Sequence, residues 1–230
     1  MTTLYLVRHG ETAWNVGGRF QGQQNTPLSK VGRAQADAVA RALADRHFAA
    51  LYTSDLARSV ETAAIIAAPH GMTPIPDARL REAHFGEWEG LSITEVTERW
   101  PEVVAAWRAD SLRTRPPGGE TLEGVQRRVV EFTEAVIRQY SAGGLCIVGH
   151  GGSLRAIVTH ALGDNMTIFR RLRLDNCSIS IVNVRDGQIS LMLFNDICHL
   201  GPQIPHATWD ESGDQWRLAM DQGQPGAPRS

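Results

Sequence analysis

Leu4-Tyr5-Leu6-Val7-Arg8-His9-Gly10 is an apolar run that ends in a cation, an imidazole and a glycine. The apolar part predicts a buried strand, and a buried parallel strand presents its chemistry in the loop at its carboxyl end. An arginine holds anionic oxygens in a planar fork, and a histidine can act as base or nucleophile. A glycine lets the backbone approach closely. These three residue types together suit a phosphate group.

The same pattern occurs again late in the chain, where the apolar run Leu145–Val148 is followed by Gly149-His150-Gly151. If both strands lie centrally in one parallel sheet, both imidazoles emerge at the same edge. A third predicted strand, Leu51–Thr53, ends at that edge and leads into Arg58. Arg58 would lie in the first turn of a helix, where an anion is favoured. A single histidine or arginine there could be structural, but the matched set indicates an anion site.

Strand and helix patterns alternate along most of the chain. Strands are predicted near 3–8, 49–53 and 145–148, and a hairpin near 178–194. Helices are predicted near 29–45, 54–68, 92–110, 121–140 and 153–162, with Ser29 capping the first and Ser54 or Asp55 the second. This order predicts an α/β fold, a three-layer α/β/α sandwich with a mainly parallel central sheet and an antiparallel edge hairpin. We expect a single domain over 1–200 and a C-terminal tail over 201–230.

The composition argues against several classes of protein. The 230 residues are 42% hydrophobic and 21% charged, as in ordinary globular proteins, and the net charge of −2 does not suggest a nucleic-acid or membrane partner. The three cysteines predict no disulfide framework and fit a cytoplasmic location. We expect no signal peptide and no membrane span. We also expect no metal site, since the chain has no His-x-x-x-His or Cys-x-x-Cys pair. The hairpin at the edge of the predicted sheet could pair with a second copy of the chain and form a homodimer.

A loop near 79–92 carries the acidic candidates Glu82, Glu87 and Glu89, and position alone does not select one of them. Five separated motifs, that loop among them, resemble the histidine phosphatase superfamily, also called the phosphoglycerate mutase-like family. They are Leu6–Thr12 with Asn15, Gln21-Gly22, Thr53–Ser59 with Glu61–Ala63, Leu80–Glu82 with Gly86–Gly90, and Gly149–Gly152. Asn195-Asp196 with His199-Leu200 also looks like the ending of the family, so the resemblance covers about residues 2–200.

The resemblance implies a role for each matching residue. His9 would accept the phosphate and form a phosphohistidine, and Glu82 would donate a proton to the leaving oxygen. Arg8, Arg58 and His150 would line the phosphate pocket. The further contacts to phosphate or substrate would come from Asn15, Gln21, Gly22 and Gly151. No cofactor is implied, because positive side chains around the equatorial oxygens can stabilise phosphoryl transfer.

The implied activity is that of a metal-independent phosphoric monoester hydrolase acting on a small phosphorylated metabolite. The alternative within the family is a cofactor-dependent phosphoglycerate mutase, which carries a longer insertion between the acid and the second histidine. Glu82 and His150 are only 68 positions apart, and Gly86–Gly90 looks like the loop of the family's phosphatases, including the α-ribazole phosphatase type. Arg113 and Arg115 could serve a carboxylate, so the mutase stays open. A non-catalytic phosphate-binding protein should lack a catalytic residue, and none is missing.

Overall fold

The computed structural model describes residues 1–164, 166–202, 204, 207–209 and 216–218. The strands of its main sheet are β1 (Thr2–Arg8), β2 (Phe48–Thr53), β3 (Ile75–Pro76), β4 (Gly143–Gly149), β5 (Ile179–Arg185) and β6 (Gln188–Asp196). They lie in the order β3-β2-β4-β1-β5-β6. β1 to β4 are parallel, and β5 and β6 form an antiparallel hairpin at one edge, which confirms the predicted sheet.

The α-helices of the described residues cover the helices that the sequence predicts. They are α1 (Ala13–Val16), α2 (Lys30–Leu43), α3 (Ala57–Ala67), α4 (Ile93–Arg99), α5 (Pro101–Ala109), α6 (Leu122–Gln139) and α7 (Gly151–Ala161). Every helix in the described part of the chain is too short or too polar to cross a membrane.

Alternate residues of the central strands pack on opposite faces of the sheet, as the period of two in a strand requires. Leu4 and Leu6 of β1 pack in one buried cluster with residues of α6 and α7. Val7 lies in a second cluster with residues of α2 and α3. The fold is therefore the predicted three-layer α/β/α sandwich.

The parallel register brings three strand ends to one edge of the sheet. Arg8 of β1 pairs with Gly149 of β4, and Thr53 of β2 pairs with Val148 of β4. The His9 N–H donates to the Gly149 carbonyl at 2.9 Å, and the Ser54 N–H donates to the Val148 carbonyl at 3.0 Å. The loops after β1, β2 and β4 therefore meet.

The helical pattern near 92–110 forms two helices, α4 and α5, which meet at Trp100, because Pro101 has no N–H to continue the helix and restricts the residue before it. One local prediction, the N-cap of α3, needs correction. Neither Ser54 nor Asp55 is the N-cap of α3, which is Leu56. The Ala57 N–H instead donates to the side chain of Asn25 at 3.0 Å.

The predicted tail over 201–230 lies mostly outside the described residues. Within it, two short strands, β7 (Ala207–Trp209) and β8 (Trp216–Leu218), pair antiparallel in a small separate sheet.

Candidate active site

His9 lies in the loop after β1 and is only 3% exposed. Its Nδ1 is 2.7 Å from the Gly10 carbonyl oxygen, and its Nε2 is 3.3 Å from the Nε of Arg58. Because a carbonyl oxygen can only accept, Nδ1 carries the ring proton and donates it, and Nε2 accepts from the arginine. The hydrogen bonds therefore assign a neutral imidazole whose Nε2 carries the lone pair.

The surroundings of His9 keep it neutral. Burial holds the pKa of His9 well below the usual 6.5, and the charges of Arg58 and Arg8 lower this pKa further. Burial is the larger cause, and like-charge repulsion adds to it. The imidazole is therefore available as a nucleophile at neutral pH.

Arg58 lies in the first turn of α3, as predicted, and its side chain is fully buried. Nη1 donates to the Gln24 carbonyl at 2.7 Å, and Nη2 donates to the Gly22 carbonyl at 2.7 Å. Burial lowers the pKa of Arg58 to about 10, so the guanidinium stays charged at neutral pH. The carbonyls of the 22–24 loop thus hold this cation against His9.

Gly22 is required at its position for two reasons. Its φ of +52° is a left-handed conformation, and a Cβ there would overlap the carboxylate of Glu89. Glu89 Oε1 accepts from the backbone N–H groups of Gln23 at 2.9 Å and Phe85 at 3.0 Å. Glu89 thus fixes the loop that holds Arg58.

Arg8 ends β1 beside the same pocket. Its Nη1 donates to the Leu174 carbonyl at 2.6 Å, and burial lowers the pKa of its guanidinium. Its Nε is buried without a hydrogen-bond partner among the described residues. A Cβ placed on Gly151 would lie 3.8 Å from this Nε and 3.8 Å from Glu82 Oε2. Arg8 and Glu82 therefore flank Gly151, and one N–H of Arg8 is free to bind an anion.

His150 is the N-cap of α7 and is fully buried. Its ring centre is 5.0 Å from that of His9, and its Nε2 is 3.3 Å from the Ser59 hydroxyl oxygen. Burial lowers the pKa of His150 well below 6.5, and Arg58 lowers it further. The two matched histidines of the sequence thus lie side by side and neutral.

Glu82 meets the start of α7. Both of its carboxylate oxygens lie 3.0 Å from the Gly152 nitrogen, and Oε1 also accepts from the Ala83 N–H at 2.8 Å. A Cβ on Gly152 would overlap Glu82 Oε1, so this glycine makes room for the carboxylate. Glu87 is exposed. Of the three acidic candidates, Glu82 alone is placed against the loop that carries His150.

Asn15 and Gln21 use their amide oxygens inside the protein. Asn15 Oδ1 accepts from the Thr12 N–H at 3.0 Å, and Gln21 Oε1 accepts from the Thr26 hydroxyl at 2.6 Å. Each side chain keeps its NH₂ group as a hydrogen-bond donor, and contact of these two residues with substrate stays a prediction.

Supporting contacts that the sequence did not reveal come from the segment before β5. The Asn176 side chain donates to the His9 carbonyl at 2.9 Å, and the Cys177 N–H donates to the Arg8 carbonyl at 3.0 Å. Because β5 pairs antiparallel with β1, the residues before β5 must lie beside the end of β1. The pairing of the two strands, had it been recognised, would have pointed to this segment.

Arg155 is a further cation that the sequence analysis missed. Its Nε donates to the Gly151 carbonyl at 2.8 Å, and its guanidinium carbon lies 4.2 Å from the centre of the Phe169 ring. Burial lowers the pKa of Arg155 to about 10, while the charge of Glu82 raises it. The signal was its spacing, four residues after Gly151 on one helix face.

Taken together, the site has three buried or partly buried arginines, two neutral imidazoles and one carboxylate. A dianionic phosphate would bring the opposite charge to these cations, and charge-assisted hydrogen bonds to its oxygens are strong. The arrangement can therefore bind a phosphoryl group, offer it a nitrogen nucleophile and supply a carboxyl group for proton transfer.

Known proteins are similar to this chain in sequence and in fold. Residues 4–197 match the family model of the histidine phosphatase superfamily, branch 1. Phosphoserine phosphatase 1 of Hydrogenobacter thermophilus is 33% identical over 201 residues, which are 87% of this chain and 95% of that protein. The probable phosphoglycerate mutase GpmB of Serratia proteamaculans is 39% identical over 186 residues, 80% of this chain and 85% of that protein.

A solved structure shows the same architecture. The α-ribazole phosphatase from Shigella flexneri has a TM-score of 0.80 at 27% identity, covering 84% of this chain and 96% of that one. The family model spans most of the chain, and each relative is matched over most of its own length. This chain therefore belongs to the histidine phosphatase superfamily.

Proposed function

We propose that this chain is a metal-independent phosphomonoester hydrolase that acts on a small phosphorylated metabolite through a phosphohistidine intermediate. The observation that carries the proposal is the state of His9: buried, neutral, with its proton held on Nδ1 by Gly10 and its Nε2 beside Arg58. A nucleophile held in one tautomer next to a cation is suited to attack a phosphate group.

In the first step, His9 Nε2 attacks phosphorus, a P–N bond forms and the P–O bond to the alcohol breaks. The Glu82 carboxyl group gives a proton to the departing oxygen, so the alcohol leaves neutral. Nδ1 keeps its proton, and the Gly10 carbonyl stabilises the positive charge that the ring acquires. Arg8 and Arg58 stabilise the charge on the transferring oxygens.

In the second step, water attacks the phosphorus and the Glu82 carboxylate takes a proton from it. The P–N bond breaks, its electron pair returns to Nε2, and phosphate leaves. His9 and Glu82 are then in their starting states. Two displacements at phosphorus replace one difficult hydrolysis.

The relatives guide the choice of substrates for a test. Phosphate release should be measured over phosphoserine, 3-phosphoglycerate, α-ribazole phosphate, sugar phosphates and p-nitrophenyl phosphate. We expect at least one alkyl monoester to be hydrolysed with kcat/KM of about 10⁴ M⁻¹s⁻¹ or more. The same preparation should be given 3-phosphoglycerate with a trace of the 2,3-bisphosphate. Rapid isomerisation with little phosphate release would show a mutase instead.

The mutase is the second candidate because a relative at 39% identity is named as one. The arginines that could serve a carboxylate do not favour it. The Arg113 side chain is 80% exposed and lies 3.7 Å from Asp110, and Arg115 lines a cleft at the start of α6 with Thr121 and Arg127. Hydrolysis remains the function that the geometry supports best.

Three further proposals concern the protein as a whole. We propose a single domain over residues 1–200, since one sheet carries both main clusters of the core. We propose a cytoplasmic location, supported by the free thiols of Cys146, Cys177 and Cys198.

We also propose a homodimer formed through β6, an edge strand whose Met192 is 60% exposed. Sedimentation velocity at micromolar concentration should give the mass of two chains. A single species with the mass of one chain would reject the dimer.

A further inference from the structure

Arg128, in the second turn of α6, makes an unusually complete set of hydrogen bonds. Its Nη1 donates to the carbonyls of Arg79 at 2.7 Å and Arg81 at 2.6 Å, and its Nη2 donates to the carbonyl of Glu82 at 3.0 Å. Nη2 and Nε also donate to the Glu120 carboxylate, at 2.6 and 3.3 Å. The five N–H groups of one guanidinium thus make five hydrogen bonds.

These bonds fasten the segment from which Glu82 projects. The Glu120 carboxylate extends the same contact by accepting from the His84 N–H at 2.8 Å. Arg128 and Glu120 therefore hold residues 79–84 on both sides of Glu82. The Arg128 side chain is only 20% exposed, so solvent screens these bonds little.

The two ends of Glu82 are held by different helices. Its carbonyl accepts from Arg128 on α6 and from the Gln23 side chain at 3.2 Å, and its carboxylate accepts from the Gly152 N–H at the start of α7. A shift of the backbone at 79–84 would change the distance between the carboxyl group and the leaving oxygen. Proton transfer depends steeply on that distance, whereas Arg8 and Arg58 are held by carbonyls outside this segment, those of Leu174, Gly22 and Gln24.

We propose that Arg128, braced by Glu120, is a positioning residue that sets the reach of Glu82 and so governs turnover of substrates with poor leaving groups. This inference rests on the proposed function. Arg128 acts through the hydrogen bonds that its guanidinium donates to three backbone carbonyls. A positive charge at this position is not enough to hold the segment in place. A lysine keeps the charge but cannot span three carbonyls and a carboxylate.

The leaving group provides a readout that general damage to the fold would not imitate. An alkoxide needs a proton in order to leave, whereas p-nitrophenolate is a stable anion and leaves without one. Arg128→Lys should lower kcat about 100-fold for the best alkyl monoester of the substrate panel, with KM within about 3-fold. With p-nitrophenyl phosphate, kcat should fall by less than about 5-fold.

Three comparisons complete the experiment. Glu82→Gln should show the same selectivity on a larger scale, and the double variant should be no slower than Glu82→Gln, since both changes remove one function. Arg127→Lys, the neighbouring exposed arginine on α6, is the matched control and should behave as wild type. If Arg128→Lys does not fold, Glu120→Gln, which weakens the same contact, should give a smaller loss of the same selectivity, about 10-fold.

An equal fall for both substrates, an unchanged kcat, or additive losses in the double variant would each overturn the positioning role. If the wild type releases no phosphate from any monoester, the proposed function itself fails and this inference fails with it. Wild-type hydrolysis combined with an unselective Arg128→Lys variant rejects the inference alone.

Discussion

His9→Ala is expected to lower phosphate release from every monoester by about 10⁴-fold or more and to remove covalent labelling of the protein by substrate. The loss should be this large because the reaction as proposed has no other nucleophile. The ring of His150 is close, at 5.0 Å between ring centres, but its Nε2 lies against the Ser59 hydroxyl. His9→Gln, which fills more of the space, should lose activity equally.

The labelling experiment uses substrate that carries ³²P, rapid quenching and denaturing electrophoresis. Wild type should show a label that is stable in alkali and lost in acid, as expected of a phosphoramidate. His160→Gln is the matched control, because His160 lies on α7 outside the pocket and is partly exposed, and it should keep both label and turnover. A label retained in His9→Ala would mean that the nucleophile has been misidentified.

Topology explains why the centre of the site could be predicted. In a parallel sheet the carboxyl ends of neighbouring strands meet at one edge. Three short apolar runs followed by polar residues were therefore enough to predict that His9, Arg58 and His150 lie close together. The hairpin near 178–194 could also be predicted from a short stretch of sequence, because Asp186-Gly187 at its centre favours a tight turn.

The position of Glu82, and the residues that hold it, could not be predicted from the order of strands and loops. Glu82 was selected by resemblance, and the physical reason appears only in the fold, where Gly152 leaves room for the carboxylate. Arg128 reaches carbonyls 46 to 49 positions earlier in the chain, and such contacts leave no periodic pattern. The contact between Asn25 and the first N–H group of α3 could not be predicted for the same reason, because Asn25 lies in a distant loop.

Only part of the reason for the neutral state of His9 lies in the motif. The charges of Arg8 and Arg58 favour a neutral ring by repulsion, but burial is the larger cause. Burial depends on the whole three-layer packing and cannot be read from the motif itself. The choice between the ring nitrogens likewise depends on where the Gly10 carbonyl points.

The same burial gives the second large prediction, which concerns stability in acid. His9 and His150 have pKa values well below 6.5 in the folded protein, caused first by burial and then by Arg58. Unfolding returns them to about 6.5, so below that pH the unfolded chain binds protons that the folded protein does not. Stability present above pH 6.5 is therefore lost as the pH falls.

The free energy of unfolding is expected to fall by up to about 2 kcal/mol for each histidine between pH 6.5 and pH 5, or about 4 kcal/mol for the pair, when both stay neutral in the folded state. Urea unfolding at pH 7.5, 6.5, 5.5 and 5.0 measures it. The double variant His9→Gln/His150→Gln should lose about 4 kcal/mol less than wild type over this range. Asp55 and Asp77 have lowered pKa values, so their loss of stability comes at more acidic pH. Burial also lowers the pKa of His199 and raises that of Glu11, but both groups are present in wild type and in the double variant, so the difference between the two curves measures His9 and His150. His160→Gln should follow wild type. Parallel curves for wild type and the double variant would show that the two imidazoles are not kept neutral by the fold, and would remove the basis for His9 as a ready nucleophile.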